Sequence, residues 1–183
     1  MAKALTVWVT LLRGINVGGH HRLPMQDLRD ILDDLGLKDT KTYIQSGNAV
    51  FLGPSGDPAA LGQKITNAIA LKMGFAPFVF LIEKDAFDQA ITDNPFMGQI
   101  KEDKHMHVAF LTQKPTKPDL GRLHNLASNG EEFHLGNVCF YLHAPAGIGR
   151  SKLAAKVDVA LGVKTTARNW RSLMAIKALA DAL

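Results

Sequence analysis

Residues 42–52, Thr42-Tyr43-Ile44-Gln45-Ser46-Gly47-Asn48-Ala49-Val50-Phe51-Leu52, decide the fold. Thr42–Ile44 is β-prone, Ser46-Gly47-Asn48 is turn chemistry, and Ala49–Leu52 is apolar and extended in preference, so the stretch predicts a β-hairpin. A helix is expected on each side of it. Upstream, Pro24 opens a segment whose apolar residues Met25, Leu28, Ile31, Leu32 and Leu35 recur at three-to-four spacing until Gly36. Downstream, Asp57 and Pro58 form an N-cap and N1 pair for a helix carrying Leu61, Ile65, Ile69 and Met73, with Gly74 as its stop. Beyond the helices lie two more strands. Residues 5–12 place Val7, Val9 and Leu11 on one face and Trp8 and Leu12 on the other, and Pro77–Ile82 is apolar on both faces. The order is βαββαβ, the split pattern of a ferredoxin-like unit.

After a helical connector containing Asp85–Ile91, the order restarts. His107–Thr112 reads as a strand and Leu120–Ala127 as a helix. Phe133–Leu135 and Val138–His143 read as a hairpin about Gly136-Asn137. Ser151–Leu161 reads as a helix, Val163–Ala167 as a last strand, and Trp170, Leu173, Ile176, Leu179 and Leu183 line a terminal helix. The expected fold class is α+β: two tandem ferredoxin-like (βαββαβ) subdomains with antiparallel sheets, plus a C-terminal helix. Residues 1–92 would form the first subdomain with its connector, and residues 93–183 the second with the terminal helix. The last strand is expected to be the shortest.

Composition narrows the function classes. With 183 residues, 46% of them hydrophobic and 21% charged, the chain can build a core without staples and is not disordered. The single cysteine, Cys139, rules out an intramolecular disulfide, and its strand context VCFYLH reads as a small buried hydrophobe rather than a nucleophile. The longest apolar run, around Phe75–Ile82, is too short to span a bilayer. The N-terminal apolar stretch lacks a small-residue cleavage site and reads as a strand rather than a leader, so a cytoplasmic location without a membrane partner is expected. The formal charge of +4 allows an anionic partner without demanding one.

Four segments are dense in Gly, Asn, Ser and Arg: Arg13-Gly14-Ile15-Asn16-Val17-Gly18-Gly19, Gln45-Ser46-Gly47-Asn48, Gly147-Ile148-Gly149-Arg150-Ser151-Lys152, and Ala167-Arg168-Asn169-Trp170-Arg171. Each alone is ordinary turn chemistry. In a βαββαβ unit strands one and two run parallel, which puts the Arg13 loop and the Ser46-Gly47-Asn48 turn at one edge. Strands three and four of the second unit are also parallel, which puts the Gly147 and Arg168 segments together. The candidate anion ligands are therefore Arg13, Asn16, Ser46, Asn48, Gly147, Gly149, Arg150, Ser151, Lys152, Arg168 and Asn169. Ser151 would cap a helix whose N-terminus favours an anion, with Arg150 and Lys152 adding charge, and the Arg168 guanidinium would emerge beside them or pair with Asp158.

Other chemistries fit less well. The P-loop string and the dinucleotide glycine pattern are both absent, as is Gly-x-Ser-x-Gly. His105, His107 and His143 lack a completing carboxylate or cysteine, so no metal or cofactor is expected. Trp8 and Phe51 invite comparison with RNA-binding sheets, but the RNP1 string is missing and core packing explains both rings.

The strings LLRGINVGG, TYIQSGN, YLHAPAGIGRSKL and TARNWRS, from Leu11 to the last helix, together resemble the bacterial domain-of-unknown-function family 1697. The resemblance implies a two-subdomain ferredoxin-like architecture and supplies no catalytic residue. The chain departs from the family pattern at His20, where a lysine is usual after the Gly-Gly pair, and at Ser172, where threonine is common.

Two functions fit the residues. One is binding of a phosphate-bearing small molecule or a nucleic acid at the glycine/arginine loops. The other is a non-enzymatic interaction or scaffold protein whose motifs are structural turns. No acid–base pair can be named, so enzymatic activity stays open, and no oligomeric state is assigned.

Overall fold

The computed structural model describes residues 4–183; Met1, Ala2 and Lys3, the start of the N-terminal segment read above, lie outside the described residues. The chain forms two compact units, one running up to Gln89 and including Met174–Leu183, the other Ala90–Leu173.

The first unit follows β1 (Leu5–Arg13), α1 (Met25–Asp34), β2 (Lys38–Tyr43), β3 (Asn48–Pro54), α2 (Pro58–Met73) and β4 (Phe78–Glu83). Its sheet has the order β2-β3-β1-β4, with every neighbouring pair antiparallel. The alternation in β1 sets the layers. Trp8 and Leu12 pack with Leu28 and Leu32 of α1 and Ile65 and Ile69 of α2, while Val9 and Leu11, on the opposite face, are also fully buried. Phe51 joins the helix-side core. It and Trp8 are at most 1% exposed, so neither ring can serve as an RNA-stacking platform. The caps follow the sequence: the Asp57 side chain accepts from the Ala59 amide at 2.9 Å, and Gly74 ends α2 in the left-handed conformation.

In the second unit the order repeats as β5 (Met106–Leu111), α4 (Leu120–Leu126), β6 (Glu132–Leu135), β7 (Cys139–His143), α5 (Val157–Leu161) and β8 (Thr165–Asn169). The sheet order β6-β7-β5-β8 is again fully antiparallel. Ala109, Phe140 and Leu142 pack with Leu123 of α4 and with Leu153, Val157 and Leu161. The other face carries Val108, Cys139 and Tyr141, all buried. The Tyr141 hydroxyl donates to the Ala90 carbonyl at 2.7 Å, and burial pushes the Cys139 thiol up to about 12, which leaves it uncharged at neutral pH.

Helix α3 (Lys84–Thr92) follows β4, and α6 (Trp170–Asp181) ends the chain. In the first unit Lys84 pairs with Asp88 and Asp181, and Lys177 pairs with both carboxylates. Hydrogen bonds to Asp181 and Asp88 hold Lys84 well above its ordinary value. Among the described residues, no helix is long and apolar enough to cross a membrane.

Three sequence expectations shift. The shortest strand is β6, with four residues, not β8, with five. β8 lies two residues later than expected, so Arg168 and Asn169 belong to the ladder rather than to a loop after it. The helix expected to start at Ser151 is instead a 3₁₀ turn at Ala154–Lys156 followed by the five-residue α5. Apolar spacing was right, since Leu153, Val157 and Leu161 are all buried, but Lys156 at φ −115° interrupts the helical path.

Candidate functional site

In the first unit the Arg13 loop and the hairpin turn lie side by side. The Leu12 amide donates to the Gly47 carbonyl at 2.7 Å, and Leu11 pairs with Asn48 across the ladder. Asn16 fastens the loop: its Nδ2 donates to the carbonyls of Leu23 (2.9 Å) and Gln45 (2.7 Å), and its Oδ1 accepts from the Leu23 amide (2.9 Å). Asn48, fully buried, donates to the Tyr43 carbonyl and to the Ser46 hydroxyl, both at 2.9 Å, and so holds the turn closed. These amides build the loops; the cations are what the loops display.

The loop itself is unusual. Five of the eight residues from Gly14 to His21 have positive φ: Gly14, Asn16, Gly18, Gly19 and His21. Gly18 (φ 59°) and Gly19 (φ 78°) turn the chain between Val17 and His20, whose backbones form an isolated bridge. His21 has φ 50°, uncommon outside glycine, and is held by two contacts. Its Nδ1 donates to the Gly14 carbonyl at 3.0 Å, and its ring lies flat on Phe75, with centroids 4.8 Å apart and planes 16° from parallel. Phe75 in turn packs against the helix-side core. Arg13, His20, His21 and Arg22 are exposed, and residues 13–22 contain no acidic side chain.

The second unit resolves its two motifs differently. β7 and β8 end at the same sheet edge, with Met106 opposite His143 and His107 opposite Asn169. Arg168, however, lies opposite Val108, which is also opposite Tyr141. Cross-strand partners share a face, so the arginine leaves the sheet on the side away from α5 and the Gly147 loop. The guanidinium is therefore not beside that loop, a correction that follows from its place inside the ladder. Burial pulls Arg168 down to about 10, and its Nη1 donates to the Ala167 carbonyl at 2.8 Å. Asp158 accepts from the amide and hydroxyl of Thr165, at the opposite end of β8 from Arg168. Asn169 caps α6, its Oδ1 accepting from the Ser172 amide at 2.9 Å, and Trp170 behind it is buried.

At the Gly147 loop, Gly147 (φ 80°) donates to Ala144, and the Ser151 amide donates to the Ile148 carbonyl at 3.0 Å. The Ser151 hydroxyl accepts from the Ala154 amide at 2.9 Å. Ser151 therefore caps a 3₁₀ turn, and the helix dipole expected behind it is weak because five α-helical residues align few peptide groups. Gly149, Arg150 and Lys152 are exposed. His107 and His143, adjacent in register, fall on opposite faces of the sheet. Among the described residues, no three His, Cys, Asp or Glu side chains come together as a metal set.

A protein-family model described as "Protein of unknown function (DUF1697)" matches residues 5–141. The chain belongs to the DUF1697 family. Its fold is similar to that of the conserved bacterial protein SP0830 from Streptococcus pneumoniae, with a TM-score of 0.74 and 24% identity over 97% of this chain and 99% of that one. The curated proteins contain no match.

Within this DUF1697 chain, the residues that sequence reasoning left out of the site are His20, His21, Arg22 and Phe75. The run His20-His21-Arg22 after the Gly-Gly pair was a visible signal. Phe75 was not, because only the fold brings it to the loop. The exposed pair in the second unit carries a simple expectation. Arg150→Ala with Lys152→Ala should leave the urea unfolding midpoint unchanged, since neither side chain is buried. A clear drop would make both residues structural.

Proposed function

We propose that the chain binds a phosphate-bearing ligand at the Arg13–Arg22 loop of the first unit. The observation that carries this reading is a preorganised loop of one charge sign. Five left-handed residues shape it, Asn16 fastens it, and it displays His20, His21 and Arg22, with no acidic residue in the sequence from Arg13 to Arg22. Left-handed residues next to right-handed ones turn backbone amides toward a concavity that suits an anion, and His21 at φ 50° adds a conformation of the kind that clusters at binding sites. Arginine adds a planar fork that grips phosphate in two places. Gly149, Arg150 and Lys152 offer a second exposed basic segment in the second unit and support the same class of ligand. The proposal is for a cytoplasmic binding protein, with no catalytic residue assigned.

A second reading, an interaction protein with purely structural motifs, draws support from the motif side chains engaged by backbone: Asn16, Asn48, Ser151 and Asn169. Ionic strength separates the two. Pyrophosphate at about 100 times its dissociation constant should stabilise the protein by about 2.7 kcal/mol. That stabilisation should fall as salt rises and weaken in Arg22→Ala. Absence of any salt-sensitive stabilisation by pyrophosphate, nucleotides or a short oligonucleotide leaves the interaction reading in its place.

A further inference from the structure

We infer that the ligand of the Arg13–Arg22 loop carries a nucleobase joined to its phosphate, and that the His21 ring is the surface on which the base stacks. The inference rests on the anion reading above and adds the ligand's second half. His21 lies on Phe75 in a near-parallel stack, and Phe75 is rooted in the core, so the imidazole is a firm shelf rather than a mobile side chain. One ring face is covered by Phe75, yet the residue remains exposed.

The backbone sharpens the point. At φ 50° a glycine or asparagine would fold the loop with less strain, and what histidine contributes beyond them is the ring. The Nδ1 proton is committed to the Gly14 carbonyl, which fixes the plane and leaves Nε2 as an acceptor in the neutral ring or a donor in the charged one. Arg22 follows directly in the chain, and Arg13 precedes the glycine that His21 bonds. A flat aromatic shelf flanked by exposed cations is the combination by which proteins hold bases and phosphates together without reading sequence. Val17, 70% exposed at the turn, adds apolar surface on the same loop.

Affinities for pyrophosphate, ADP and a short single-stranded oligoadenylate test the inference by titration calorimetry. ADP is expected to bind about tenfold more tightly than pyrophosphate, the increment of one stacked base. His21→Asn removes the ring while suiting the left-handed backbone, and should lower ADP affinity more than pyrophosphate affinity, so that the difference between them disappears. His21→Phe keeps a ring and should preserve the difference. If the oligonucleotide binds more tightly than ADP with a steeper salt dependence, the source is a nucleic acid strand; equal binding points to a free nucleotide. Equal affinity for pyrophosphate and ADP overturns the base and leaves the anion site standing. A parallel loss of both ligands in His21→Asn makes the His21–Phe75 stack structural and also overturns it. No salt-sensitive binding of any probe removes both readings.

Discussion

Gly47→Ala is expected to lower the stability of the first unit by about 3 kcal/mol, measured by urea unfolding. Two costs add. Gly47 has φ 79°, and an L-residue there is strained by roughly 1–2 kcal/mol. An added Cβ would also stand 2.6 Å from Ile15 Cδ1 and 2.7 Å from Leu12 Cβ, and overpacking of a well-filled core typically costs roughly 1–3 kcal/mol. Ile15 can rotate its terminal carbon away, but the Leu12 Cβ is fixed to β1. Gly74→Ala is the control. It has nearly the same φ, 77°, and nothing within 4 Å, so it should show the backbone cost alone. If Gly47→Ala is no worse than Gly74→Ala, the turn and the Arg13 loop are not in close contact. Because Ile15 precedes Asn16, the same substitution should also weaken phosphate binding, in a protein that still folds at low denaturant.

That close contact was legible in the sequence before any coordinate. Antiparallel βαββαβ topology requires the loop after β1 and the turn after β2 to share an edge, and Gly47 is the residue that lets them touch. Helix limits at Asp57 and Gly74 were legible for the same reason: each cap is a local interaction within a few residues. What escaped depends on distant partners. Apolar spacing cannot distinguish a continuous helix from a 3₁₀ turn joined to a short one, since both bury Leu153, Val157 and Leu161. The two-residue offset of β8 drew Arg168 from the loop expected after the strand into the ladder, where pairing with β5 sets the face on which its side chain leaves. The His21 shelf escaped most completely. Its supporting ring lies in the α2–β4 connection, and no periodicity links Phe75 to a loop fifty-odd residues earlier.

Asn16→Ala is expected to cost about 4 kcal/mol and to reduce phosphate binding without changing its dependence on salt. The side chain makes three hydrogen bonds, to both backbone groups of Leu23 and to the Gln45 carbonyl, each worth about 1 kcal/mol net. Its φ of 55° is tolerated by asparagine and resisted by alanine. Asn16→Gly separates the two contributions. Glycine loses the hydrogen bonds but accepts the left-handed backbone, so it should be more stable than alanine while remaining about 3 kcal/mol below the parent. Asn16→Asp keeps the acceptor for the Leu23 amide but turns a carboxylate oxygen toward two carbonyls, and should cost at least as much as glycine. Affinity for pyrophosphate should fall in all three variants, because a loosened loop must be reordered on binding. In Asn16→Ala and Asn16→Gly the salt dependence should match the parent, since no charge has been removed. Arg22→Ala should show the opposite pattern, with stability intact and salt dependence reduced. A glycine variant as stable as the parent would mean that the amide does not fasten the loop, and the preorganisation on which phosphate binding depends would have to come from the glycines alone.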